Sequence, residues 1–115
     1  MNKFEHQPIA CDLTAIPAEV REAHMVNGQH IFQAAVEICE LANGYSIRLP
    51  NTTGMWMALA TFVENERRCC PFWHFDLTVE ANNGPLWLAL TGPEGAKDLL
   101  TAALAAPDDE GRFPG

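Results

Sequence analysis

Glu64-Asn65-Glu66-Arg67-Arg68-Cys69-Cys70-Pro71-Phe72-Trp73-His74 is the stretch in which a helix gives way to a strand. Upstream, Trp56, Leu59, Phe62/Val63, Glu66 and Cys70 recur at helical spacing and share one side. Downstream, Phe75, Leu77, Val79 and Ala81 alternate with Asp76, Thr78 and Glu80, the period of a strand buried on one face. Pro71 lies between the two patterns and cannot donate the hydrogen bond that would continue the helix. The helix is predicted to open at the capping cluster Asn51-Thr52-Thr53 and to run to about Arg68.

Each side of this junction carries a hairpin. Val36–Ala42 and Tyr45–Pro50 flank Asn43-Gly44, a dipeptide suited to a two-residue type I′ turn. That turn sets Ala42 opposite Tyr45, Glu40 opposite Ile47 and Ile38 opposite Leu49, with Val36, Ile38, Ile47 and Leu49 facing the core. The strand from Phe75 pairs with Pro85–Thr91 around Asn83-Gly84, with Leu77 opposite Leu90, Val79 opposite Leu88 and Phe75 opposite Gly92. A first helix is predicted from about Pro17 to His30, with Val20, Ala23, Met25, Val26 and Ile31 as its apolar positions and Asn27-Gly28 as a weak point. A last helix starts at Gly92-Pro93-Glu94 and runs to about Ala105.

The order is therefore α-β-β-α-β-β-α, and the fold class is α+β. The expected architecture is a four-stranded, mainly antiparallel sheet with helices packed on one face. Residues 14–106 form the domain, residues 1–13 a loose arm, and residues 107–115 a polar tail. The outer sheet face carries Cys39, Leu41, Trp87 and Ala89 among charges. Leu41, Trp87 and Ala89 form a candidate homodimer contact there, with a solvated face as the alternative.

Composition narrows the function classes. The chain has 115 residues, 48% of them hydrophobic, and a formal net charge of −8, which suits a globular domain. That charge, with no basic stripe, argues against nucleic acid and anionic membrane surfaces as partners. Met1–His6 holds no apolar signal core, and the longest uncharged apolar run, Met55–Val63, is too short to span a bilayer. The expected address is cytoplasmic, with the four cysteines as reduced thiols. Cys11, Cys39, Cys69 and Cys70 follow neither a disulfide framework nor a paired zinc pattern.

The junction gathers the chain's reactive groups. Glu66 stands three and four residues before Cys69 and Cys70, so all three converge on one helix side. A carboxylate on a buried stripe needs donors, and Arg48, the amides opening the last helix or a ligand could supply them. Cys69 and Cys70, with Glu66 or His74, could hold a soft metal such as zinc, copper or mercury. The vicinal thiols could instead form a strained, easily reduced disulfide that senses redox state. A cysteine nucleophile with His74 as base, oriented by Asp76, would make an enzyme. Arg68 with the backbone amides of Gly95 and Ala96 could bind an anionic small molecule. Against these stands a packing role, in which both cysteines close the core and the protein is a non-catalytic small-molecule-binding or dimerisation module. His6, His24 and His30 have no partner at metal spacing, and Cys11 and Cys39 read as bystander thiols.

The chain resembles a group of small bacterial proteins with no agreed activity. They share a segment E-x-x-C-C-P-F, then a hairpin and a helix opening T-G-P-E-G-A-K. Here these are Glu66, Cys69-Cys70-Pro71-Phe72, Pro85–Leu88 and Thr91–Lys97, with Asn43-Gly44-Tyr45 also similar. The resemblance covers roughly residues 17–105. It implies that Glu66, Cys69 and Cys70 belong to one recurrent constellation.

Overall fold

A computed structural model of the chain describes residues 9–105. The expected tail at residues 107–115 and the first part of the expected arm lie outside them. The elements are α1 (Ala18–Gln33), β1 (Glu37–Leu41), β2 (Gly44–Leu49), α2 (Thr53–Cys69), β3 (His74–Val79), β4 (Leu86–Thr91) and α3 (Ala96–Ala105). The fold is α+β, with a four-stranded antiparallel sheet in the order β1-β2-β4-β3. Ile47, Leu49, Leu86, Leu88 and Leu90 of the two central strands form one core cluster with Ile31, Met55, Leu59, Phe62, Leu100 and Leu104 of the helices. The described part of the expected arm, residues 9–13, is tied to the body. Asp12 donates its backbone N–H to the Cys69 carbonyl (2.7 Å), and Cys11 is disulfide-bonded to Cys70.

Both hairpins pair two residues away from the expected register. In the first, Ile38 faces Ile47, Glu40 faces Tyr45 and Leu41 faces Gly44, so the loop is Ala42-Asn43. Gly44 is a sheet residue here, paired to Thr91 of β4. A Cβ at position 44 would lie 1.9 Å from the Leu90 carbonyl oxygen, so the glycine serves close approach of two backbones, not a turn. In the second hairpin, Leu77 faces Leu88, Val79 faces Leu86 and Phe75 faces Leu90. Its loop, residues 81–84, holds Asn82 and Asn83 in the left-handed region (φ 63° and 56°), and Gly84 N–H closes it onto the Glu80 carbonyl (3.1 Å). A slip of two residues leaves each side chain on its expected face, but burial is confined to the central strands: Ile47 and Leu49 are in the core, whereas Val36 and Ile38, expected there too, and Leu77 and Val79 of the other edge strand are exposed.

The helices differ from expectation at their faces and ends. Thr52 caps α2 through its side chain, which accepts from Met55 N–H (3.2 Å). Trp56 is turned outward and donates its indole N–H to Asn51 Oδ1 (2.9 Å), while Met55 takes the core position. On α1 the buried residues are His24, Gly28 and Ile31, whereas Met25 and Val26 are more than half exposed. Gly28 does not interrupt this helix. Its missing side chain lets Phe62 approach, since a Cβ would meet the ring at 3.1 Å, and Asn27 Nδ2 donates to the Ala58 carbonyl (2.9 Å). Residues 92–95 form the turn before α3, which begins three residues later than Pro93.

The glycines give a direct check. Gly44→Ala, which forces a Cβ into backbone, should lose about 3 kcal/mol or more in urea denaturation. Gly54→Ala, in α2 with nothing within 4 Å of the new Cβ, should gain about 0.5–1 kcal/mol. Equal effects at the two positions would contradict this sheet geometry.

Candidate functional site

The seam between α1 and α2 builds the site one turn at a time. Phe62 packs on Gly28, one turn further along α2 is Glu66, and one turn back along α1 is His24. His24 Nε2 and Glu66 Oε1 are 2.8 Å apart, and the imidazole stacks on Phe62 (ring centroids 5.5 Å). His24 is 4% exposed, and its Nδ1 has no hydrogen-bond partner among the described residues. The arrangement fits a neutral ring that donates its Nε2–H to the Glu66 carboxylate, because an unpaired buried acceptor at Nδ1 is tolerated better than an unpaired N–H.

Cys69 completes the group. It is the last residue of α2 and is 1% exposed. Its Sγ lies 3.7 Å from Glu66 Oε1, 3.7 Å from His24 Nε2 and 3.7 Å from Cys70 Sγ. Burial, the Glu66 charge and the hydrogen bond to Glu66 push the Cys69 thiol up to about 11. It therefore holds its proton at neutral pH, directed between a carboxylate and a sulfur. Cys70 follows as the helix C-cap with non-helical dihedrals (φ −127°, ψ 70°) and reaches Cys11 in the N-terminal segment. Cys70 is buried, whereas Cys11 is exposed, so the disulfide has one accessible end.

A cavity of about 530 Å³ lies over this group. Cys11, His24, Glu66, Cys69 and Cys70, with Gln29 and Gln33, supply its polar wall, and Met25, Val26, Phe32, Phe62, Leu99 and Ala103 are among its apolar lining. The exposure of Met25, Val26 and Leu99, on α1 and α3, is thus exposure beside a cavity.

The expected site residues divide. Glu66, Cys69 and Cys70 come together, as their spacing implied. The vicinal pair is not bonded to itself, because Cys70 is bonded to Cys11, and the expectation of four reduced thiols is corrected accordingly. His74 lies elsewhere. It alternates with the inward-facing Phe75, projects from the outer sheet face, is mostly exposed and pairs with Asp76 Oδ1 (3.2 Å). Glu66 takes its donor from His24 and not from Arg48, which pairs with Glu37 (3.3 Å). Of the residues expected at an anion site, Arg68 is bonded to Glu64, Ala96 is fully buried with its N–H donated to the Pro93 carbonyl (3.0 Å), and Gly95 is an exposed turn residue with φ +92°. Leu41, Trp87 and Ala89 share the outer sheet face, each half-buried. Sequence reasoning missed His24 and Cys11. The spacing His24-Gly28-Ile31 was the available signal for the first; a single cysteine in a short irregular segment gave none for the second.

The thiol's environment predicts its pH dependence. In a Cys39→Ser background, which removes the other free thiol, iodoacetamide should label Cys69 at a rate rising about tenfold per pH unit from about pH 8 to 10. The rate should level only near the thiol's value of about 11. Because folding raises this group above its usual value of 9.0, its stabilising contribution is complete below pH 9 and lost as pH climbs through about 11. Glu66→Gln should bring the plateau down; a plateau already reached by about pH 9 in the unaltered site would contradict this electrostatic picture.

No family model, curated protein or solved structure matches this chain.

Proposed function

We propose that this is a thiol–disulfide redox protein in which Cys11–Cys70 is the bond that opens and closes and Cys69 is the thiol that assists it. The observation that carries this reading is the approach of the Cys69 thiol to Cys70 Sγ, 3.7 Å, beside a disulfide whose other half is exposed. An external dithiol can reach Cys11. One of its sulfurs, as thiolate, bonds to Cys11 Sγ while the Cys11–Cys70 bond breaks, and the electron pair leaves on Cys70. The Cys69 S–H is placed to donate a hydrogen bond to that leaving sulfur, which takes its own proton from solvent, so Cys69 keeps its proton beside Glu66 and His24. The second sulfur of the dithiol then releases Cys11 as a thiol, and the dithiol departs as its own disulfide. A cytoplasmic address would suit a bond of this transient kind, since cytosolic disulfides are mostly catalytic or redox-sensing.

A structural staple is the competing account of the same bond. It spans 59 residues of sequence, so the unfolded chain is restrained by about 4 kcal/mol when it is closed. The cavity favours a second reading, a module that binds a small apolar molecule. Self-association through Leu41, Trp87 and Ala89 belongs to that reading.

Mass-resolved counting of free thiols under native conditions separates these accounts. With dithiothreitol the count should rise by two while the near-ultraviolet dichroism of Trp73, packed on Phe72 at 4.8 Å, persists, and removal of the reductant should restore the bond. Cys69→Ala, which removes the donor, should slow the opening by about tenfold or more. If the bond opens only as the domain melts, it is a staple, and the redox reading is wrong.

A further inference from the structure

The disulfide conceals a second arrangement of the same atoms. The sulfurs of Cys11 and Cys70 and a carboxylate oxygen of Glu66 lie within 4.8 Å of one another, and Cys69 Sγ is 3.7 Å from both Cys70 Sγ and Glu66 Oε1. We propose that the reduced protein holds a soft, thiophilic metal ion of the zinc(II), cadmium(II) or copper(I) class, bound by Cys11, Cys69 and Cys70 with Glu66 as the oxygen donor. This deepens the redox reading and rests on it, because two of the ligands exist as thiols only after the disulfide opens.

The distances suit such an ion. A tetrahedral ion with metal–sulfur bonds of about 2.3 Å and metal–oxygen bonds of about 2.0–2.2 Å sets sulfur–sulfur edges near 3.8 Å and sulfur–oxygen edges near 3.6 Å. The two 3.7 Å separations at Cys69 already match those edges. Of the other four edges, Glu66 already lies within 4.8 Å of the Cys11 and Cys70 sulfurs; reduction parts the bonded sulfurs of Cys11 and Cys70 and frees Cys11 to close on Cys69. Each thiol releases a proton as it binds, and three thiolates with one carboxylate favour a soft cation over a hard one.

His24 could be taken for a ligand, since His24, Glu66 and Cys69 also cluster within 4.8 Å. Its other nitrogen decides against that role. Binding a metal through Nε2 would move the proton to Nδ1, which is buried and has no acceptor among the described residues. Kept on Nε2, the proton stays in the 2.8 Å bond to Glu66, the support from beyond the ligands that orients a ligating carboxylate. His24 is thus a positioning residue.

The test uses cadmium(II) with a phosphine reductant, in the full chain with Cys39→Ser to remove the remaining thiol. Thiolate-to-cadmium absorption should appear in reduced protein at one ion per chain and be absent from oxidised protein. Cys11→Ser, Cys69→Ser and Cys70→Ser should each lose about a third of that intensity, as three equivalent thiolates require. His24→Gln should keep the intensity and weaken binding about 10- to 100-fold. Thiol counts run alongside distinguish the failures. If the disulfide opens in folded protein and no absorption follows, the metal site is refuted and the redox reading stands. Unchanged intensity in Cys69→Ser refutes the ligand set. A disulfide that never opens in the folded protein overturns both.

Discussion

The seating of α1 on α2 at Gly28 and Phe62 governs the chemistry of this molecule. A side chain at position 28 would press on the aromatic ring at 3.1 Å and lift the helix away. Asn27 fixes the same contact from the side through the Ala58 carbonyl. With that crossing set, successive turns match antiparallel partners: Asn27 with Ala58, Gly28 with Phe62, His24 with Glu66. The ionisable pair is therefore an extension of an apolar contact. A loose crossing would leave a carboxylate on the inner side of α2 without a donor, a penalty of several kcal/mol.

Glu66 is the hub of the electrostatics. It faces the His24 imidazole at 2.8 Å and stands beside the thiol, 3.7 Å from its sulfur. The Glu66 charge holds Cys69 protonated, with burial as the larger cause. A protonated thiol is a weak nucleophile but can still donate a hydrogen bond. The apolar cavity lining acts in the same direction, because a low-dielectric wall penalises a free thiolate.

The fold was legible from periodicity, and its registers were not. Alternation in 75–81 and in the first hairpin assigned faces correctly because face depends only on parity. The pairing depended on what each glycine was for. Asn43-Gly44 has the composition of a tight turn, yet Gly44 is consumed by the contact with Leu90 on a strand distant in sequence, a demand that no local reading contains. Glu66, Cys69 and Cys70 were recoverable because one helix carries them. His24 was obscured because Met25 and Val26 look like core and instead line a cavity, while the true inner face of α1 is a histidine, a glycine and an isoleucine. His74 misled by adjacency: it is four residues from Cys70 in sequence, but strand alternation sends it through to the other side of the sheet.

Two neighbouring cysteines have different fates here because the helix ends between them. Cys69 keeps helical geometry, so its sulfur stays on the inner side of α2 with Glu66, one turn away. Cys70 has left the helix ahead of Pro71, and its changed dihedrals carry its sulfur to the N-terminal segment. One more helical residue would return both sulfurs to the helix surface, and Cys70 would lose its aim at Cys11. The proline thus does more than stop a helix. It divides a vicinal pair into a free thiol and a disulfide-bonded sulfur while keeping the two 3.7 Å apart.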